Sequence, residues 1–302
     1  MRANEADLES RLMVLATAVL FSTGGAVIKA TTFSGWQVAS FRCGIAALAS
    51  LILLPSSRRG WSYKTWMVGG VYAAALISYA VANKLTTAAS TIFLYSITPL
   101  YILFLGPLIL KEPFRRRDLV FMVALATGFG LVFTDSQGVY ATAPAPFKGN
   151  LVAAFGGFCF ALVVMGLRWL SRSDPPGRSS SLSALVAGNL IAFWIALPLA
   201  LPVSSSTPLD WSLVIYLGVI QIALAYFLLT KALRRIPALE ASLLLLAEPV
   251  LNPTWAWIFH GERPGPKTLA GGAVILIATA GLTLISTWTA RQIDQSSDST
   301  GQ

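Results

Sequence analysis

The stretch LLLLAEPVLNPTWAWIFHGERP, Leu243 to Pro264, sets one carboxylate and two prolines inside an apolar run. Glu248 has no solvating neighbours in sequence. At the centre of a bilayer such an ion costs about 2.5–3.5 kcal/mol on insertion scales, so it must face a partner or water. Two chemistries fit. Glu248 is either a cavity carboxylate that recognises a substrate amine or takes up a proton, or a fixed ion-pair partner or cap on helix ends broken by Pro249. Pro249 and Pro253 each remove a helical hydrogen bond, and the freed carbonyls need neighbours or cavity water. The run is tolerable if its helix borders an aqueous cavity at mid-membrane. Pro99 would serve the same purpose in another helix. A kink for packing is the plainer account of all three prolines.

Other polar groups are scattered through apolar runs. Arg42, in ASFRCGIAALASLILL, either anchors a helix by pairing or snorkelling, or binds a substrate carboxylate. Tyr79 and Asn83 share a helix face at spacing i, i+4. Tyr95, Gln221, Tyr226 and Asn252 add further polar handles. Aromatic walls with a few polar groups suit a small, partly apolar ligand, and suit interhelical hydrogen bonds equally well. One histidine, His260, is too few for a metal cluster, and Cys43 and Cys159 read as small core residues. No metal and no cofactor is therefore expected. Glu112, Glu240 and Glu262 lie at loops or helix starts and read as loop-orienting or charge-compensating groups.

The elements that position these residues follow from composition. Only 12% of the 302 residues are charged, 55% are hydrophobic, and the mean hydropathy is +0.69. Soluble domains carry about 25% charged residues, so the chain is expected to be all-α and embedded in a lipid bilayer. The net charge of +9 is not a nucleic-acid signal, because the basic residues sit in short loops between apolar runs. The polar, acidic start MRANEADLES does not resemble a signal peptide, so the first run should persist as a transmembrane helix. Ten spans are expected, roughly 11–30, 35–55, 64–83, 86–110, 117–134, 148–171, 179–202, 210–231, 237–260 and 266–288. The weakest break is NKLTT, which lacks Pro and Gly and leaves open one fused helix. With the N-terminus placed inside, sixteen Lys and Arg fall on the inner side, five on the outer, and Arg42 within a span. That bias predicts cytoplasmic N- and C-termini and hence an even number of spans.

The chain also repeats itself. ITPLYILFLGPLILKEPFRRRDL places Pro99 and Glu112 thirteen residues apart, and AEPVLNPTWAWIFHGERPGPKTL places Pro249 and Glu262 thirteen apart. Leu119 and Leu269 continue the offset of 150, and YAVANKL pairs with YFLLTKAL after a shift of three residues. Five spans per unit is odd, so the two units must run in opposite orientations. The loop charges agree: KEPFRRR is strongly basic, GERPGPK nearly balanced. Inverted repeats that rock about a midplane site are a mark of secondary transporters.

AEASLLLLAEPVLNPTWAWIFHGERP, its twin AASTIFLYSITPLYILFLGPLILKEP and the Arg42 segment together resemble the signature of the drug/metabolite transporter superfamily, EamA family. Within it the chain looks most like the amino-acid exporters, the YddG-like aromatic amino-acid exporter group included. The resemblance implies two EamA repeats, 11–135 and 148–288, followed by a polar cytoplasmic tail, 289–302. It also implies export of a small metabolite across the plasma membrane. The first repeat departs from the usual small-residue pattern at TIFLYS. A monomer or weak homodimer is expected. No Walker-type loop is present to couple ATP. Nucleosides, nucleotide sugars and drugs are rival cargoes, a channel lacks a multi-subunit selectivity ring, and a membrane-embedded enzyme lacks clustered acids and histidines.

Overall fold

Runs of Leu, Ile, Val and Ala leave no backbone polar group unpaired only when they coil, because lipid supplies no partners. The computed structural model describes residues 2–109, 116–135, 141–173, 180–232, 241 and 244–299, and among them the fold is helical. In chain order the helices are α1 (Arg2–Ser22), α2 (Gly24–Ala30), α3 (Gly35–Leu53), α4 (Tyr63–Leu85), α5 (Ala88–Tyr95), α6 (Thr98–Ile109) and α7 (Arg116–Phe133). The second half holds α8 (Pro146–Ser173), α9 (Ser180–Ala200), α10 (Pro208–Ile215), α11 (Ala225–Ala232), α12 (Ala247–His260) and α13 (Pro266–Ser299). A π-helical segment, Tyr216–Leu224, joins α10 to α11 without a break.

Eight of the described helical stretches are long and apolar enough to cross a membrane, and Leu119–Phe133 is a shorter apolar helix. Large apolar side chains such as Ile52, Val120 and Ile277 lie bare on the outside of the bundle. In water that surface would be an aggregation liability; in lipid it is the solvated face.

The ends of the helices are set by side-chain caps. Ser34 with Gln37, Ser62 with Thr65, and Thr207 with Asp210 form capping boxes at α3, α4 and α10. The NKLTT ambiguity resolves as a break, because the Thr87 hydroxyl accepts from the Ser90 amide and starts α5 separately from α4. Pro99 and Pro249 occupy the first turns of α6 and α12, where no intrahelical donor is lost. The expectation that they kink helix interiors is thereby corrected: each begins a new helix after a break, at Ser96–Ile97 and at Leu246. Pro253 alone of the three lies inside its helix. The expected tail, 289–302, is helical as far as Ser299, as the continuation of α13. Glu112, Glu240 and the inner part of the expected span 237–260 fall outside the described residues.

The most extensive packing runs between the two halves of the chain. α4 lies along α8 and α9, α3 along α9 and the π segment, α7 along α13, and α1 along α11 and α12. The α5–α6 pair rests on α8, and α12 also touches α2 and α5.

Candidate functional site

A cavity of about 270 Å³ lies at the middle of the bundle, where the broken helices meet. Its lining comes from both halves. Phe21, Arg42, Tyr72, Leu76, Tyr79, Ile92, Tyr95 and Thr98 come from the first; Phe160, Gln221, Ile222, Tyr226, Glu248 and Pro249 come from the second. Of the residues singled out from the sequence, Tyr79, Tyr95, Gln221, Tyr226, Glu248 and Arg42 line this one space. Asn83 and Asn252 are not among its lining residues; both are fully buried behind Tyr79, to whose carbonyl and hydroxyl their amides donate. Pro99 starts α6 one residue past the lining residue Thr98. Tyr72, Phe21 and Phe160 were not singled out. Tyr72 was legible, because Tyr72, Leu76, Tyr79 and Asn83 at spacings of four, three and four mark one face of α4.

The walls are fixed by hydrogen bonds that leave their rings free. The Tyr95 hydroxyl donates to the Ala75 carbonyl at 2.7 Å, and the hydroxyls of Tyr72 and Tyr226 meet at 3.2 Å across the two halves. Tyr79 and Tyr95 pack edge to face at 5.3 Å, as do Phe21 and Tyr226. Gln221 and Ile222 enter from the π-helical turn, a distortion that often re-aims side chains at functional sites.

Two charges face this aromatic box. Arg42 is 1% exposed. One of its Nη groups donates to the Leu76 carbonyl at 2.9 Å, its guanidinium stands 5.6 Å from the Tyr79 ring centre, and its Nε has no acceptor. Glu248 sits in the first turn of α12, where the positive end of the helix dipole favours a carboxylate. Among the described residues it accepts no hydrogen bond and joins no ion pair, so the fixed-pair reading is not the arrangement seen. No ion pair joins Arg42 to Glu248, although both line the same wall. The cavity thus offers one under-coordinated cation and one under-coordinated anion.

One end of the bundle is sealed. Residues of the α2–α3, α4–α5, α9–α10 and α12–α13 connections are tied together there, along with Asp135 just after α7 and Thr142 just before α8. The centre of the seal is a buried ion pair, Lys29 to Glu262 at 2.8 Å, with side chains 1% and 2% exposed. Lys29 also donates to the carbonyls of Thr86 and Thr142, both at 2.7 Å. Glu262 accepts from the Ala88 amide at 3.0 Å and the Thr142 hydroxyl at 2.6 Å. Gly261 makes this possible: at φ +65° it ends α12 in the left-handed region and turns the chain so that Glu262 points back inside. Asp210 accepts from the Thr32 amide and hydroxyl, Gln37 donates to the Ala200 carbonyl, and Asp135 accepts from the Thr268 amide. Sequence reasoning gave Glu262 a loop-orienting role but missed Lys29, whose partner lies more than two hundred residues away.

Removing one charge of this pair strands the other in a dry site. Glu262→Gln is expected to lower stability by about 3–5 kcal/mol, the range for removing one partner of a buried ion pair. The Lys29→Met/Glu262→Gln double variant should recover more than half of that loss. Melting midpoints of the purified proteins check this; equal losses in the single and double variants would count against the pair.

The model of the EamA-like transporter family matches residues 10–134 and again 147–284. A transporter of Bacillus subtilis, YwfM, described as uncharacterized, is 26% identical over 286 residues, covering 91% of this chain and 93% of its own. The pseudopaline exporter CntI of Pseudomonas aeruginosa is 25% identical, covering 90% and 94%. A biotin transporter of Escherichia coli is 23% identical, covering 83% and 84%. One solved crystal structure shares the fold, with a TM-score of 0.57 at 18% identity over 94% of this chain and 98% of that one. Helices that only lipid can solvate, a polar-edged cavity at their centre and two matches to one family model agree: the chain is a multi-pass membrane transporter and belongs to the EamA-like transporter family.

Proposed function

We propose that this transporter exports small metabolites, amino acids first among them, by alternating access of two inverted repeats around the central cavity. The observation that carries the reading is the pair of unmatched charges, Arg42 and Glu248, on the wall of one aromatic cavity. A zwitterion supplies a carboxylate for the first and an ammonium for the second, and its side chain meets Tyr72, Tyr79, Tyr95 and Tyr226. Bound, it neutralises both groups away from water, where such contacts are worth most.

The repeats are 11–135 and 148–288, five spans each, ten in all, with both termini in the cytoplasm of a cell whose plasma (inner) membrane holds the protein. Packing supports this. Exchanging the halves turns the α4–α8 contact into the contact of α11 with α1, and the contact of α5 and α6 with α8 into that of α12 with α1 and α2; α3–α9 and α7–α13 each map onto themselves. Pro99 and Pro249 start equivalent helices. Tyr79 and Tyr226 face one cavity, whereas their companions Lys84 and Lys231 lie at opposite ends of the bundle, on the Thr31 carbonyl and beside Glu9. On this topology the sealed end is the outer one. The protein works as a monomer or weak homodimer.

Single cysteines at Phe114 and Pro264 should label from opposite sides of the membrane; labelling from one side would end the inverted reading. The cargo is tested by growth of expressing cells in toxic amino-acid analogues, nucleosides and drugs. Protection against the amino-acid analogues is expected. Protection against nucleosides or drugs alone would replace the proposed cargo.

A further inference from the structure

The sealed end is joined to the cavity by helices that build both. The 14 residues of α12 carry Glu248 in the first turn and hand over, through Gly261, to Glu262. The cavity carboxylate and the buried pair therefore stand at the two ends of one rod about 20 Å long. α5 makes the same connection. The amide of its first residue, Ala88, donates to Glu262, and its later residues Ile92 and Tyr95 line the cavity. Neither Lys29 nor Glu262 lines the cavity itself.

α12 belongs to the second half of the chain, and a row of side chains binds it to the first. Asn252 meets the Tyr79 hydroxyl at 3.2 Å, Trp255 Nε1 donates to the Ser22 hydroxyl at 2.9 Å, and His260 Nε2 donates to the Ala26 carbonyl at 2.8 Å. Lys29, in the last turn of α2, closes the row against Glu262. The last contact differs from the others in kind. A buried ion pair often gives a fold no more stability than apolar residues of the same volume, so stability alone does not account for it. What it supplies is two favourable arrangements. Dry and together, each charge has its partner and its hydrogen bonds; parted and wet, each regains the hydration it gave up. Parted and dry is the costly state between them.

We propose that Lys29 and Glu262 form a latch that holds α12 of the second half against α2 and α5 of the first, and that parts each time the cavity opens through this end. Within the proposed alternating access, on which this reading rests, the latch decides when the sealed end opens. Water that enters with opening hydrates both charges, so the contact releases fully or not at all. Glu248 and the latch share α12, and Tyr95 and the Ala88 donor share α5. A substrate that moves either cavity residue therefore moves a support of the latch.

The test reads opening directly, without substrate. Ser96, which lines the cavity at the α5–α6 break, is changed to cysteine in a chain whose buried Cys43 and Cys159 are changed to alanine. A membrane-impermeant thiol reagent is applied from the side on which a cysteine at Pro264 labels, since Pro264 lies in the α12–α13 connection at the sealed end. Lys29→Met/Glu262→Gln should raise the labelling rate of Ser96→Cys from that side about tenfold, equivalent to about 1.4 kcal/mol, in protein that still elutes and melts as a folded species. Thr142→Val takes one hydrogen bond from Glu262 and keeps both charges. It should raise the rate about threefold, and it carries the test if the double variant fails to fold. Folded variants that label at the original rate would overturn the latch and leave the pair a structural tie. The two readings fail separately: amino-acid counterflow with unchanged labelling discards the latch alone, and faster labelling without amino-acid counterflow discards the proposed cargo alone.

Discussion

Glu248→Gln is expected to cut transport about 30-fold, equivalent to about 2 kcal/mol, while leaving the folded protein within about 1 kcal/mol of its original stability. The asymmetry follows from what the carboxylate touches. It has no hydrogen-bond or ion-pair partner among the described residues, so its removal strands nothing; only the helix-dipole contribution at the start of α12 is lost. A bound ammonium, by contrast, would lose its counter-charge in a low-dielectric cavity, where removing one partner of a buried pair costs about 2–5 kcal/mol. Glu248 is also the one carboxylate among the cavity-lining residues. If transport couples to protons, the variant should flatten its pH profile too. Flux unchanged at every pH, with normal expression, would take Glu248 out of the mechanism.

Arg42 should behave differently, because it serves both fold and site. Arg42→Met leaves the Leu76 carbonyl without its donor and removes the cation from the Tyr79 face. We expect a stability loss of about 1–3 kcal/mol and transport reduced by about a hundredfold or more. Arg42→Lys separates the two roles. It keeps the charge and can still donate to Leu76, but loses the planar fork that grips a carboxylate in two places. Stability should return to near the original value while the half-saturating substrate concentration stays raised by about tenfold, equivalent to about 1.4 kcal/mol. A lysine variant with the original affinity would reduce Arg42 to an anchor. Both experiments use reconstituted protein, with folding followed by melting and function by uptake of labelled amino acids.

The membrane class was legible because lipid leaves a compositional mark on every span, and the family because Pro and Glu are scarce enough in apolar helices for their spacing to carry information. Cavity residues were legible where a polar or aromatic group interrupts an apolar face, as at Tyr79, Tyr95, Gln221, Tyr226 and Glu248. Asn83 and Asn252 carry the same signal but are not among the lining residues; their amides lie against the backbone of Gly25. Pro99 and Pro249 were read as interior kinks because hydropathy does not register a helix that stops and restarts within one apolar run; the breaks at Ser96–Ile97 and Leu246 supply what hydropathy lacks. The Lys29–Glu262 seal lay out of reach for another reason. Its two charges sit at loop edges, where basic and acidic residues are ordinary, and only the folded chain brings them within 2.8 Å.

The central claim, that one cavity between two inverted halves carries a zwitterion across the membrane, is met most directly by counterflow in proteoliposomes. Vesicles preloaded with unlabelled phenylalanine or leucine and diluted into the labelled amino acid should accumulate label faster than empty vesicles. Uptake should saturate, and Arg42→Met should abolish it. Uptake that rises linearly with concentration and ignores preloading would contradict a carrier with a single alternating site.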